Sequence, residues 1–160
     1  MSEKDELPED WASQKFDELF EIISESYRPD RNNEEVLHYS MPAYDEGQPV
    51  REHTSDIGST KREVPDRTIL FPKLNIRKKR FWLVDRESDV PKICSTEYWP
   101  LDTRQDNLLM EFFEQYFRTD KFVDSPLLST SSSTNSHQRV KRNLVKLEKL
   151  PVPPIKEQRR

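Results

Sequence analysis

Two glycines, Gly47 and Gly58, stand against twelve prolines in 160 residues. That imbalance constrains the chain more than any other feature. Glycine supplies the left-handed backbone used in tight turns and at helix ends. Proline removes a backbone donor and interrupts helices and sheet ladders alike. Such a chain is short of the residues that reverse its direction compactly. Composition sharpens the point, because 32% of the residues are hydrophobic and 35% charged, a more polar balance than in an ordinary globular domain. Fixing each residue's backbone costs roughly 1–2 kcal/mol of entropy, and so little apolar surface does not offset that over the whole length. The expected fold class is mostly disordered, with two or three isolated amphipathic helices (about 9–27, 103–117 and 138–149) and short extended segments.

Periodicity places those helices. Pro8 suits a first helical turn and Glu9 and Asp10 suit its positive end. Phe16, Leu19, Phe20, Ile23 and Tyr27 then recur at helical spacing until Pro29. Asp102 or Thr103 can cap a second helix, where Thr103-x-x-Asp106 resembles a capping box. Its wide stripe is Leu108, Leu109, Phe112, Phe113, Tyr116 and Phe117. The third helix carries Val140, Leu144 and Leu147 beside Arg139, Lys141, Arg142 and Lys146. Between them, 28–60 reads as a disordered linker in which Tyr39 and Tyr44 are either solvated or part of a docking motif. Residues 61–84 read as a basic and apolar docking segment, 85–124 as an aromatic helical region, and 125–160 as a Ser-rich linker with a basic, proline-containing tail. Arg67–Pro72 and Phe81–Val84 suit extended segments, and Pro72 argues against a central strand and for an edge strand or a strand added to a partner's sheet.

Charge falls in blocks. Residues 1–60 hold 16 acidic and 5 basic side chains, and residues 61–80 hold 8 basic and 2 acidic. The run Arg77-Lys78-Lys79-Arg80 has three readings: a nuclear import signal, an RNA contact with Phe81 or Trp82 stacking on bases, or a solvated charge run. The aromatic helix is core packed on the first stripe, a helix for a partner's groove, or a nuclear export signal. Pro151-x-x-Pro154-x-Lys156 matches the polyproline pattern read by SH3 domains and equally suits a solvated tail.

Enzymatic chemistry finds no foothold. His38, His53 and His137 lack metal-ligand spacing, and no glycine-rich phosphate loop or nucleophile elbow is present. Cys94 is alone, which excludes an internal disulfide and suits a reducing compartment. No apolar run reaches the length of a membrane span, and the polar start is unlike a signal peptide. The expectation is a protein that is not an enzyme, holds no cofactor or metal, and works in cytoplasm and nucleus.

The function expected is that of an adaptor docking short segments onto one or more folded protein subunits. Arg62 and Arg67 would fork onto partner carboxylates while Ile69, Leu70 and Phe71 enter a groove. Phe16, Leu19, Phe20, Ile23, Leu109, Phe112, Phe113 and Tyr116 would supply further partner contacts. The acidic helical start, the Arg67-Thr68-Ile69-Leu70-Phe71 segment and the Arg77–Arg80 run resemble the small nematode adaptor subunits of the piRNA-precursor processing complex. The resemblance implies that Arg62, Arg67 and Leu70 touch a folded subunit and that RNA is met indirectly, through a complex processing small RNAs. Two alternatives stand beside it: direct binding of RNA or DNA through the basic segments, and a signalling scaffold read by SH3 domains.

Overall fold

The N-terminal stripe folds around a single helical turn. The computed structural model describes residues 7–105, 108–128 and 139–158. Within them the chain runs β1 (Ala12–Lys15), α1 (Phe16–Leu19), β2 (Phe20–Ile22) and β3 (Ser26–Tyr27), where one helix over 9–27 was expected. The four residues of α1 produce the spacing of Phe16, Leu19 and Phe20. The backbone then extends, and Phe20 and Ile22 point inward on alternate positions of β2. The supposed linker continues as β4 (Glu35–Tyr39), α2 (Met41–Glu46) and β5 (Val50–His53). Then follow β6 (Lys61–Glu63), β7 (Arg67–Pro72), β8 (Trp82–Asp85), β9 (Lys92–Cys94) and β10 (Tyr98–Thr103). The second expected helix shrinks to α3 (Met110–Phe117), followed by α4 (Asp120–Val123). The third becomes α5 (Arg142–Val145) and β11 (Lys149–Val152), with α6 (Ile155–Gln158) after it. Asp106 of the supposed capping box, Gln138, His137 and most of the Ser-rich linker lie outside the described residues.

Two sheets lie face to face. An antiparallel sheet of order β2-β10-β7-β8 occupies the middle of the molecule. Register alternates its side chains cleanly. Ile69 and Phe71 of β7 share a face with Leu101, Trp99 and Leu83, whereas Leu70 shares the other with Trp82. The first face meets α1, α3, α4, α5 and the β1–β11 ribbon in the main core. The second meets Leu37, Tyr39 and Cys94 of a five-stranded sheet, order β3-β6-β9-β4-β5, in which only β9 and β4 pair in parallel. β7 is therefore central, with neighbours on both sides. Pro72 is tolerated because its nitrogen lies on the β8 side, where the pairing with β7 stops at Leu70 and no ladder bond needs the missing N–H.

Disorder was expected from the scarcity of apolar residues and glycines, and the fold answers both. Seven of the eight phenylalanines are fully buried, at 0–1% exposure. Each ring buries on the order of 150–250 Å², so a few residues cover much of the core. Turns are made without glycine: Asn75 and Lys79 take the left-handed conformation at φ 51° and 57°. Gly47, at φ 89°, closes α2.

Candidate nucleic-acid interface

The site grows from the far end of β7. There the Lys73 N–H donates to the Glu97 carbonyl at 2.9 Å, extending the pairing of β7 with β10 by one residue. Glu97 is set by a tight turn after Cys94: Ser95 N–H donates to Tyr39, and the Ser95 hydroxyl accepts from Glu97 N–H at 3.1 Å. Arg139 arrives from the opposite end of the sequence. Leu74 and Arg139 form an antiparallel bridge, and Val140 N–H donates to the Lys73 carbonyl at 2.9 Å. Arg62 of β6 stands opposite Cys94. Three cations thus gather at one end of the paired sheets around the carboxylate of Glu97.

The cluster is held tightly and remains short of negative charge. Arg139 Nε donates to both Glu97 oxygens at 3.2 and 3.0 Å, and Nη2 donates to Oε1 at 2.7 Å. This hydrogen bonding keeps the Glu97 carboxyl below the usual carboxylate range against its partial burial, with Arg139, Lys73 and Arg62 adding their fields. Burial pushes the Lys73 ammonium below the ordinary lysine range. Glu97 opposes that shift, and the like charges of Arg62 and Arg139 add to it. Arg62 Nε is buried and finds no hydrogen-bond partner among the described residues. Such a group of cations is suited to phosphodiester oxygens and base edges. One other part of the surface has the opposite sign: a cleft of about 550 Å³ is lined by Glu25, Glu63, Asp66 and Asp89, with Lys92.

The residues singled out in the sequence lie elsewhere. Ile69, Leu70 and Phe71 are wholly buried in β7, as are Phe16, Leu19, Phe20 and Phe113 in the main core. They present nothing to a partner's groove. Ile23, Leu109, Phe112 and Tyr116 are half-buried. Leu109 gives its N–H to Gln158, and Phe112 packs edge-on against Trp11. Arg67 pairs within the chain with Asp85 and Glu111. The basic run is wound into a turn over buried Ile76. Arg77 pairs with Asp124, Lys79 with Asp120 and Arg80 with Asp45, leaving Lys78 exposed. Pro151 is a buried residue of β11 opposite Ser13, and Lys156 lies in α6, so 151–156 is no polyproline helix. Of the predicted positions only Arg62 belongs to the cationic cluster. Lys73, Glu97 and Arg139 were missed because each looks ordinary in its own segment, and 42 residues separate Glu97 from Arg139.

Among the described residues no group of three or more potential ligands could hold a metal ion. No helix there is long and apolar enough to cross a membrane.

The architecture is an α+β domain of two stacked sheets, with most of the helices on one outer face and a cationic cluster where the sheets end. Two solved structures share it. One is the HsdS subunit from Thermoanaerobacter tengcongensis, with a TM-score of 0.77 and 22% identity over 96% of this chain and 40% of that one. The other comes from work on complex assembly and conformational transition of the type I R-M system, with a TM-score of 0.78, 22% identity and the same coverage. The chain spans about two fifths of the length of each, and what it shares with them is the fold. No family model and no curated protein matches the sequence. These neighbours overturn the resemblance to piRNA adaptors. The folded domain they match overturns the expected disorder, and the adaptor function, with its nuclear small-RNA role, goes with it.

Proposed function

We propose that this chain is a non-enzymatic DNA-recognition domain that works within a complex of folded protein subunits. The single observation that carries the reading is the fold, matched over 96% of the chain in an HsdS subunit and in a chain from a type I R-M system. The fold supports this function by analogy, and the cationic cluster is the described surface best suited to take the DNA. The formal charge of the chain is −4, so any attraction for a polyanion must be local. Arg62 and Lys73 supply it at the end of the sheets, and the acidic cleft keeps DNA off that part of the surface. A type I R-M neighbour comes from a complex that assembles from several parts, which supports association with partner subunits. The test is fluorescence anisotropy of labelled duplex DNA with the chain across a salt series. Binding should weaken linearly in log–log form, by a slope of about 0.9 for each phosphate neutralised. Replacing Arg62 and Lys73 together with alanine should flatten that slope by one to two contacts. Absence of duplex binding at low salt, or an unchanged slope in the double variant, refutes the reading.

A further inference from the structure

The hydrogen bonds around Arg139 are one-sided. Glu97 takes the edge of the guanidinium formed by Nε and Nη2, at 2.7–3.2 Å. Arginine carries five N–H donors in a rigid planar fork. The opposite edge, formed by Nη1 and the outer hydrogen of Nη2, donates to nothing among the described residues. The Arg139 side chain is 46% exposed and that of Glu97 only 23%, so the arginine is the more open member of the pair. Main-chain bonds fix both partners, through the Leu74–Arg139 bridge and the Lys73–Glu97 bond. The pair is therefore held by main-chain bonds as well as by its own side-chain bonds.

We propose that Arg139 is a base-reading residue, its free edge presented to the O6 and N7 acceptors of one guanine in the major groove, and that Glu97 is the positioning residue that holds it. This rests on the DNA-recognition reading above. Two kinds of acceptor on DNA suit an arginine fork, guanine and phosphate. The carboxylate behind Arg139 separates them. Glu97 cancels the charge of Arg139, so the excess positive charge of the cluster rests on Lys73 and Arg62, and a phosphate is drawn to those two before the Arg139 edge. Guanine O6 and N7 are neutral acceptors and do not depend on that excess charge. Lys73 and Arg62 have no forked acid of their own and are better placed to take the phosphates. The arrangement divides the cluster into one reader and two backbone contacts, all within the same end of the sheets.

The experiment is selection from a pool of randomised duplexes by the 160-residue chain, followed by competition binding of single-base variants of the winning site. The expected result is a site with guanine at one position. Arg139→Ala should lose discrimination at that position alone, on the order of tenfold to a hundredfold, with its salt slope unchanged. Arg139→Gln should shift the preference there from guanine towards adenine, whose N6 and N7 suit an amide. Glu97→Gln should blunt the guanine preference while tightening binding to unselected DNA, because Arg139 then adds its uncancelled charge to the cluster. An Arg139→Ala protein that weakens on every sequence alike, with a slope shallower by about 0.9, makes Arg139 a phosphate contact and overturns the proposal. So does full retention of the guanine preference in both Arg139 variants. If the unaltered chain enriches no sequence and binds no duplex, the DNA reading itself fails and takes this one with it.

Discussion

Replacing Phe71 with alanine tests the core on which the whole arrangement hangs. Phe71 is wholly buried at the centre of the middle sheet. Its ring centroid lies 5.7 Å from Phe16, 5.2 Å from Phe81, 5.7 Å from Trp99, 5.5 Å from Phe117 and 6.0 Å from Phe122. Truncating a buried phenylalanine costs about 3–5 kcal/mol in transfer and cavity terms. Aromatic pairs add about 0.5–1.5 kcal/mol each beyond burial, but neighbours sharing one cavity do not sum. The upper end of the range, about 4–5 kcal/mol, is the expectation here. A domain of this size has about 5–15 kcal/mol of stability in all, so the variant should remain folded only in little or no denaturant. Urea unfolding followed by tryptophan fluorescence is the assay, with Trp99 stacked on the mutated ring as reporter. With a slope of about 2 kcal/mol/M, the midpoint should fall by about 2 M. Phe112→Ala is the control: that ring is half-buried at the surface of the core and should move the midpoint by less than half as much. A Phe71→Ala shift below about 0.5 M, or an unaltered protein that melts without a cooperative transition, would refute the packing described.

Three further perturbations have definite outcomes. Thr68→Val keeps the shape of a buried β7 residue but removes a hydroxyl that donates to the Leu101 carbonyl at 2.6 Å and accepts its N–H at 2.9 Å; the two orphaned groups should cost about 1–3 kcal/mol by urea unfolding. Burial holds the His38 imidazole below the ordinary histidine range, against its bond to Glu52, and Lys61 adds to the depression. Below an unfolded value of about 6.5 the unfolded chain therefore binds the extra proton first, so stability is full above that pH and falls as pH drops towards the folded value. Thermal melts between pH 7.5 and 5.5 should show this loss, and His38→Gln should remove the part due to this residue. Burial pushes the Cys94 thiol up to about 12, so alkylation of the native chain at pH 8 should be slow and should become rapid only on adding denaturant.

What the sequence by itself determined is which side chains leave water. The clusters at 16–20, 69–71 and 112–117 are legible as apolar groups between charged neighbours, and most of their members are buried. Arg62 stood out as a basic residue and lies in the cationic cluster. The sequence did not determine what those residues pack against, and the expectation of disorder arose there. An apolar stripe at helical spacing is a local signal, while strand pairing is not: Ala12 meets Val152, and Leu70 meets Pro100. A helix turn of four residues followed by a strand produces the same spacing as a continuous helix over that short run. Low apolar content likewise failed to forecast order, because it counts residues and not the area that stacked phenylalanine rings bury. The candidate site belongs wholly to tertiary structure. Lys73, Glu97 and Arg139 lie on three separate segments, each polar and ordinary in isolation, and only the pairing of β7 with β10 and the return of the chain at Arg139 bring their charges together. Electrostatic attraction acts through space, so the sequence records the charges, and the fold alone sets the distances between them.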